Sequence, residues 1–163
     1  MTPSPPRRAL LALLLTVSAV SGAGAQPKPL IDGATVEPNV VYGMYSGLAL
    51  LLDVHRPPAP NGYGIIFISG SGWQAPTGYD ATPLKQNQIP VWGPSLLAAG
   101  YTVFALNHRA VPRFHYPGAV EDVQRAIRFV RHNAKTWRID GTRLGGMGGS
   151  SGGHLPEPRN PTV

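Results

Sequence analysis

The feature that most constrains this chain is the stretch Leu144-Gly145-Gly146-Met147-Gly148-Gly149-Ser150-Ser151-Gly152-Gly153-His154-Leu155. A short apolar strand runs here into a serine flanked by glycines. Gly148, Ser150 and Gly152 meet the spacing G-x-S-x-G, the mark of a sharp strand-to-helix turn that lifts a serine hydroxyl clear of a sheet. Such a turn holds its serine in strained backbone, and its neighbours pass too close to other chain to carry side chains. A second frame, Gly149-Ser150-Ser151-Gly152-Gly153, centres on Ser151 instead. Spacing alone leaves both frames open. A run this rich in glycine and serine is also compatible with a flexible loop, so the flanking chain has to decide.

Upstream, the hydrophobic pattern alternates between strand and helix. Val40-Val41-Tyr42-Gly43 and Leu48 to Val54 suit two strands joined at Ser46-Gly47, although the leucine run also suits a helix start. His55-Arg56-Pro57-Pro58 stops either one. Tyr63 to Ile68 and Tyr101 to Leu106 are continuous apolar runs of the kind buried on both faces of a parallel sheet. A long loop is expected from Gln74 to Pro90, then a short helix from Trp92 to Ala99 closed by Gly100. Val120, Val123, Ile127 and Val130 fall at helical spacing, which predicts a helix from Pro117 to Lys135. Arg143 to Gly148 then enters the glycine-flanked turn as a third buried strand. This order implies an α/β fold with a parallel sheet and right-handed crossovers.

Residues 1–25 read as an export leader. Arg7 and Arg8 precede an apolar core from Ala9 to Val20, and Ala23-Gly24-Ala25 offers a cleavage site after Ala25. The core is shorter than the about 20 apolar residues that span a membrane. A periplasmic or secreted product is expected, with no membrane partner once the leader is cleaved. Its loss lowers the formal charge of +6 to about +4. With no basic stripe, nucleic acid is not expected as a partner. The chain has no cysteine, which excludes a disulfide framework, a thiol nucleophile and a cysteine-anchored lipid. No His/Asp/Glu group has metal-ligand spacing, so neither metal nor cofactor is expected. Residues 26–38 read as an irregular lead-in to a domain covering 39–155, followed by a proline-rich tail over 156–163.

Several pieces, taken in order, carry a family resemblance. They are Leu52-Asp53-Val54-His55-Arg56-Pro57, Ile66-Phe67-Ile68-Ser69-Gly70-Ser71-Gly72-Trp73, Gly100-Tyr101-Thr102-Val103 with Asn107-His108-Arg109, and Asp122 with Ala126 to Arg131. Asn133-Ala134, Ile139-Asp140 and the run from Gly148 to Leu155 complete the set. The chain resembles the N-terminal half of an α/β-hydrolase of the feruloyl-esterase-like (BD-FAE) branch, related to hormone-sensitive-lipase-type esterases. The resemblance implies an α/β-hydrolase-type, mostly parallel sheet with flanking helices, cut short after the nucleophile elbow. It implies a serine carboxylesterase acting on a small-molecule ester. The family's G-x-S-x-G-G-H-L ending places the nucleophile at Ser150. The N–H of Ser151 then forms half of an oxyanion hole, and Ser71 and Gly72 supply the other half from a loop that reads H-G-G-G-W in the family. Here Ser69 stands in the place of that histidine and Ser71 in the place of a glycine.

The rest of the triad is not found. In this family the acid and the base follow the nucleophile in the chain, and only His154 and Glu157 follow Ser150 here. The resemblance makes His154 a packing residue. Pro156, Pro158 and Pro161 oppose the helix expected after Ser151. A complete domain of this kind has roughly 200–250 residues, against about 138 here after the leader. A shortened reading frame and a catalytically inactive product are therefore expected. His55, His108, His115 and His132 have no family role as base, and Asp53, Asp80, Asp122 and Asp140 read as turn, cap or ion-pair residues. Two alternatives stand beside the esterase: a non-catalytic fragment, and a prolyl-oligopeptidase-type peptidase, against which the G-G-H-L ending argues. A nucleotide-binding reading of the glycines fails for lack of G-K-[ST]. Trp73, Tyr79 and Trp92 are the residues a sugar platform would use. The oligomeric state is not legible.

Overall fold

A computed structural model describes residues 27–75 and 82–154. Residues 1–25, where a leader is expected, Tyr79, Asp80 and the stretch from Leu155 lie outside the described residues. Five strands form one sheet in the order β1-β2-β4-β3-β5. β1 (Thr35–Tyr45) and β2 (Leu48–Arg56) are an antiparallel hairpin. Its two turn residues, Ser46 and Gly47, have φ of 45° and 81°, the pair of positive values that a tight hairpin matching the strand twist demands. The leucine run is thus a strand, and β1 begins inside the stretch read as lead-in.

β2 pairs antiparallel with β4 (Thr102–Leu106), whereas β4, β3 (Gly64–Ile68) and β5 (Leu144–Gly148) are mutually parallel neighbours. The three strands that lead to the glycine-serine turn therefore form the parallel part of the sheet. Side chains alternate across it with the period of two that strands impose. Leu50, Leu52, Val54, Ile66, Ile68, Phe104 and Leu106 face one side; Phe67, Val103 and Ala105 face the other. Each such Leu, Ile or Phe stabilises the fold by about 1.5–3 kcal/mol through burial.

α3 (Gly118–His132) covers the first face with Val123, Ala126 and Val130, at helical spacing. Its arginines at 125, 128 and 131 are exposed. The helix stops before the expected Lys135. Asn133 donates from its side chain to the Phe129 carbonyl at 2.8 Å, and the chain tightens into a 3-10 turn over Ala134–Trp137. That turn swings Trp137 inward to meet Phe104 edge-on, with ring centroids 5.1 Å apart.

The second face is covered by α2 (Ile89–Ala98), which buries Ile89 and Leu97. It starts earlier than expected because Pro90 sits in the first turn, where a missing N–H costs nothing. Another short helix, α1 (Thr82–Gln86), lies within the stretch expected to be loop. Five residues are too few to show helical periodicity or to be stable alone. A buried ion pair holds it: the Lys85 ammonium lies 2.5 Å from Asp53 Oδ1 and 2.6 Å from Asn39 Oδ1. Both charges are almost fully buried.

β5 departs from the expectation of a buried strand. It lies at the sheet edge, and Gly145 and Gly146 are exposed. Among the described residues nothing pairs with its outer side.

Breaking a buried pair strands the surviving charge. Lys85→Met is expected to lower the unfolding free energy by about 3–5 kcal/mol, whereas the Lys85→Met/Asp53→Leu double variant recovers most of the loss. Urea denaturation of the single and double variants measures both.

Candidate active site

The site is built where the parallel strands β3 and β5 end side by side. β5 runs into Gly149, whose N–H donates to the Ile68 carbonyl at the end of β3 (3.3 Å). Ser150 then takes φ +50°, a left-handed value that a non-glycine residue adopts only when its surroundings hold it there. A 3-10 turn over Ser150–His154 follows, with the Gly152 N–H bonded to the Gly149 carbonyl at 2.9 Å. The glycines have a concrete reason. A Cβ on Gly152 would collide with the backbone of Ile68, and one on Gly148 with the backbone of Gly152.

The two serines separate clearly. Ser150 is exposed, while Ser151 is buried. The Ser151 hydroxyl accepts two backbone N–H groups from the loop after β3, from Ser71 at 3.1 Å and from Trp73 at 3.3 Å. The Ser150 hydroxyl has no hydrogen-bond partner among the described residues, so it is the one available to a ligand. In the same loop Gly72 has φ +62° and Trp73 φ +58°. Four expected residues are thus brought together: Ser150 and Ser151 on the elbow, Ser71 and Gly72 on the facing loop. The Ser71 N–H, expected to face the substrate oxygen, is engaged by Ser151 in this state. Sequence reading missed the Trp73 N–H in that contact, because backbone donors carry no residue signature.

Beside the elbow lies a cavity of about 400 Å³. Trp73 and His154 form one wall, their rings stacked with centroids 5.8 Å apart. Phe114, Tyr116 and Val120 form another. This is the position, beyond the carboxyl ends of parallel strands, where α/β proteins hold ligands.

The ionisable groups around the site are structural. Asn107-His108-Arg109 ties the end of β4 to the start of α3. The Asn107 carbonyl accepts the Tyr42 hydroxyl at 2.5 Å, and the Arg109 N–H donates to Asp122 at 2.8 Å. The Arg109 side chain donates to Asp122 and Glu121. The Asp122 carboxylate, above all, holds its guanidinium protonated even more firmly than usual. His108 is buried with Nδ1 2.8 Å from the Arg109 carbonyl. Burial pushes its pKa down, against a smaller upward pull from that carbonyl. His55 is buried on β2, neither ring nitrogen bonded among the described residues. Burial lowers its pKa too, with Asp53 opposing. His115 lines the cavity, and His132 ends α3.

All five histidines of the sequence lie in the described residues, and none is hydrogen-bonded to Ser150. Asp53 and Asp122 are in ion pairs, and Asp140 is in an exposed turn with Thr142. No group of three or more His, Asp or Glu that could hold a metal occurs among the described residues. No described helix is long and apolar enough to cross a membrane.

The BD-FAE family model matches residues 52–157. The chain belongs to the BD-FAE family. Among curated relatives it is 30% identical over 156 residues to a probable carboxylic ester hydrolase, LipM, of Mycobacterium tuberculosis, covering 93% of this chain and 35% of LipM. It is 32% identical over 103 residues to an acetylxylan esterase of Xylanibacter ruminicola, covering 61% of this chain and 19% of that protein. A solved truncated carbohydrate esterase from gut microbiota aligns with a TM-score of 0.64 at 36% identity, covering 74% of this chain and 41% of that one. The fold is that of α/β-hydrolase esterases, of which the described sheet is a part. The chain spans about a fifth to two fifths of these relatives' lengths.

Two outcomes follow from this packing. Gly152→Ala is expected to cost about 1–3 kcal/mol of stability through the clash with Ile68, read as a shift in denaturation midpoint. The second concerns pH. His55 and His108 have folded pKa values below their unfolded value of about 6.5. Below that pH the unfolded chain binds more protons than the folded one. Their contribution is therefore complete above about pH 6.5 and is lost as the pH falls. Unfolding free energies measured from pH 7.5 down to 5 are expected to decline, and His55→Gln/His108→Gln is expected to flatten that decline.

Proposed function

We propose that this chain carries the nucleophile and the oxyanion donors of an exported serine carboxylesterase. The observation that carries the reading is the exposed Ser150 hydroxyl at φ +50°, set directly after a parallel strand in a BD-FAE chain. In this reading Ser150 Oγ attacks an ester carbonyl, the C–O bond to the alcohol breaks, and water later releases the acyl group. The N–H groups of Ser151, Ser71 and Gly72 receive the developing oxyanion. A donor of this kind lowers the barrier by roughly 3–4 kcal/mol. For the Ser71 N–H to serve, the Ser151 hydroxyl must release it.

The substrate we propose is a small ester, on a carbohydrate in the simplest case, because two of the relatives are named for that activity. The leader-like pattern of residues 1–25, Arg7 and Arg8 before an apolar core, supports a periplasmic or secreted location. The chain as given is proposed to be inactive in turnover. A serine hydroxyl is a poor nucleophile without a base, and no histidine of the sequence reaches Ser150.

Two measurements test this. Hydrolysis of p-nitrophenyl acetate by the purified chain is expected to match a Ser150→Ala control, and serine-dependent turnover would overturn the inactivity. Boron-11 NMR with phenylboronic acid is expected to show a tetrahedral adduct that Ser150→Ala abolishes. No adduct on the unaltered chain would remove Ser150 as the nucleophile.

A further inference from the structure

Two consecutive amide side chains, Asn87 and Gln88, sit between α1 and α2 and take no part in the chemistry above. Both bind the same residue of the facing loop. The Gly70 N–H donates to Gln88 Oε1 at 2.8 Å, and the Gly70 carbonyl accepts from Asn87 Nδ2 at 3.1 Å. One residue further back, the Ser69 hydroxyl accepts the backbone N–H of Gln88 at 3.3 Å. Ser69 is the residue that stands where the family loop has histidine.

Gln88 also touches the elbow. Its side-chain amide lies so close to Gly149 that a Cβ there would strike Oε1. A single side chain thus contacts both halves of the site, the loop at Gly70 and the elbow one residue before Ser150. Its own mounting is firm. The Asn87 N–H closes onto the Pro83 carbonyl of α1 at 3.0 Å, and α1 is pinned by the Lys85–Asp53 pair. On the other side Ile89 anchors α2 in the core.

We infer that Gln88 is a positioning residue that sets the spacing between the loop Ser69–Trp73 and the elbow that carries Ser150. This rests on the esterase reading of Ser150. Backbone N–H groups stabilise developing charge only when they are held in place before it appears. Gln88 does this with a neutral acceptor. A glutamate there keeps the acceptor but adds negative charge beside the place where negative charge develops. A leucine has similar bulk and no acceptor.

The test uses the full chain as wild type, Gln88→Leu, Gln88→Glu and Ser150→Ala. Amide hydrogen exchange read by NMR is expected to quicken about tenfold at Gly70 in Gln88→Leu. Ile66 and Phe104, in the core strands, keep their rates, and Gln88→Glu restores the protection at Gly70. The phenylboronate adduct, which is anionic, is expected to weaken about tenfold in both Gln88 variants, in Gln88→Glu despite its ordered loop. That split separates positioning from general stability.

An unchanged Gly70 rate in Gln88→Leu overturns the inference, as does equal acceleration throughout the core. Boronate binding unchanged in Gln88→Leu also overturns it. If the wild type binds boronate no better than Ser150→Ala, the reading of Ser150 fails instead, and the exchange rates alone then decide the clamp.

Discussion

The structure depends on backbone passing backbone at the ends of β3 and β5. The elbow crosses the last residue of β3 so closely that Gly152 rests on the Ile68 backbone while the Gly149 N–H bonds to the same residue's carbonyl. This one contact brings Ser150 and Ser151 to the loop Ser69–Trp73, although some 80 residues separate them in the chain. It exists because parallel strands end together. The register Ile68↔Gly148 sets both turns at the same height above the sheet. A side chain at Gly152 pushes the two turns apart, and one at Gly148 strikes the elbow's own backbone at Gly152.

Around that contact the protein uses polar burial where it needs direction rather than bulk. The Lys85–Asp53 pair and the Arg109–Asp122 pair are both almost fully buried, and neither adds much net stability over an apolar contact of equal size. What they supply is geometry. The first attaches a helix too short to hold itself, and that helix delivers Asn87 and Gln88 to Gly70. The second joins the end of β4 to the start of α3 and holds Arg109 in the lining of the cavity beside Trp73. Two loops that would otherwise be loose are tied to the sheet by these buried charges.

Much of this was legible beforehand. The runs Tyr63 to Ile68 and Tyr101 to Leu106 read as buried strands because both faces of those strands are covered, and the stripe Val120, Val123, Ile127 and Val130 reads as a helix because only one face is. The spacing around Ser150 gave the elbow. The choice between Ser150 and Ser151 was not in the spacing; the resemblance favoured Ser150, and the burial of Ser151 distinguishes the two physically. α1 went unseen because a five-residue helix held by one lysine carries no periodic signal. Asn87 and Gln88 looked like loop polarity, since nothing local says that their partner is Gly70. The exposure of β5 was missed because a glycine-rich apolar strand reads the same in the middle of a sheet as at its edge.

By itself, then, the sequence determined the order of the buried parallel strands and of the helices α2 and α3, and the backbone positions at the elbow where only glycine fits. These are local matters, set by φ/ψ preference and by the period of apolar residues. The tertiary structure alone decided which serine is exposed, which backbone N–H groups the buried one accepts, and which buried charges pair. Those depend on residues distant in the chain arriving at one place, and that follows from sheet order and register rather than from any local pattern.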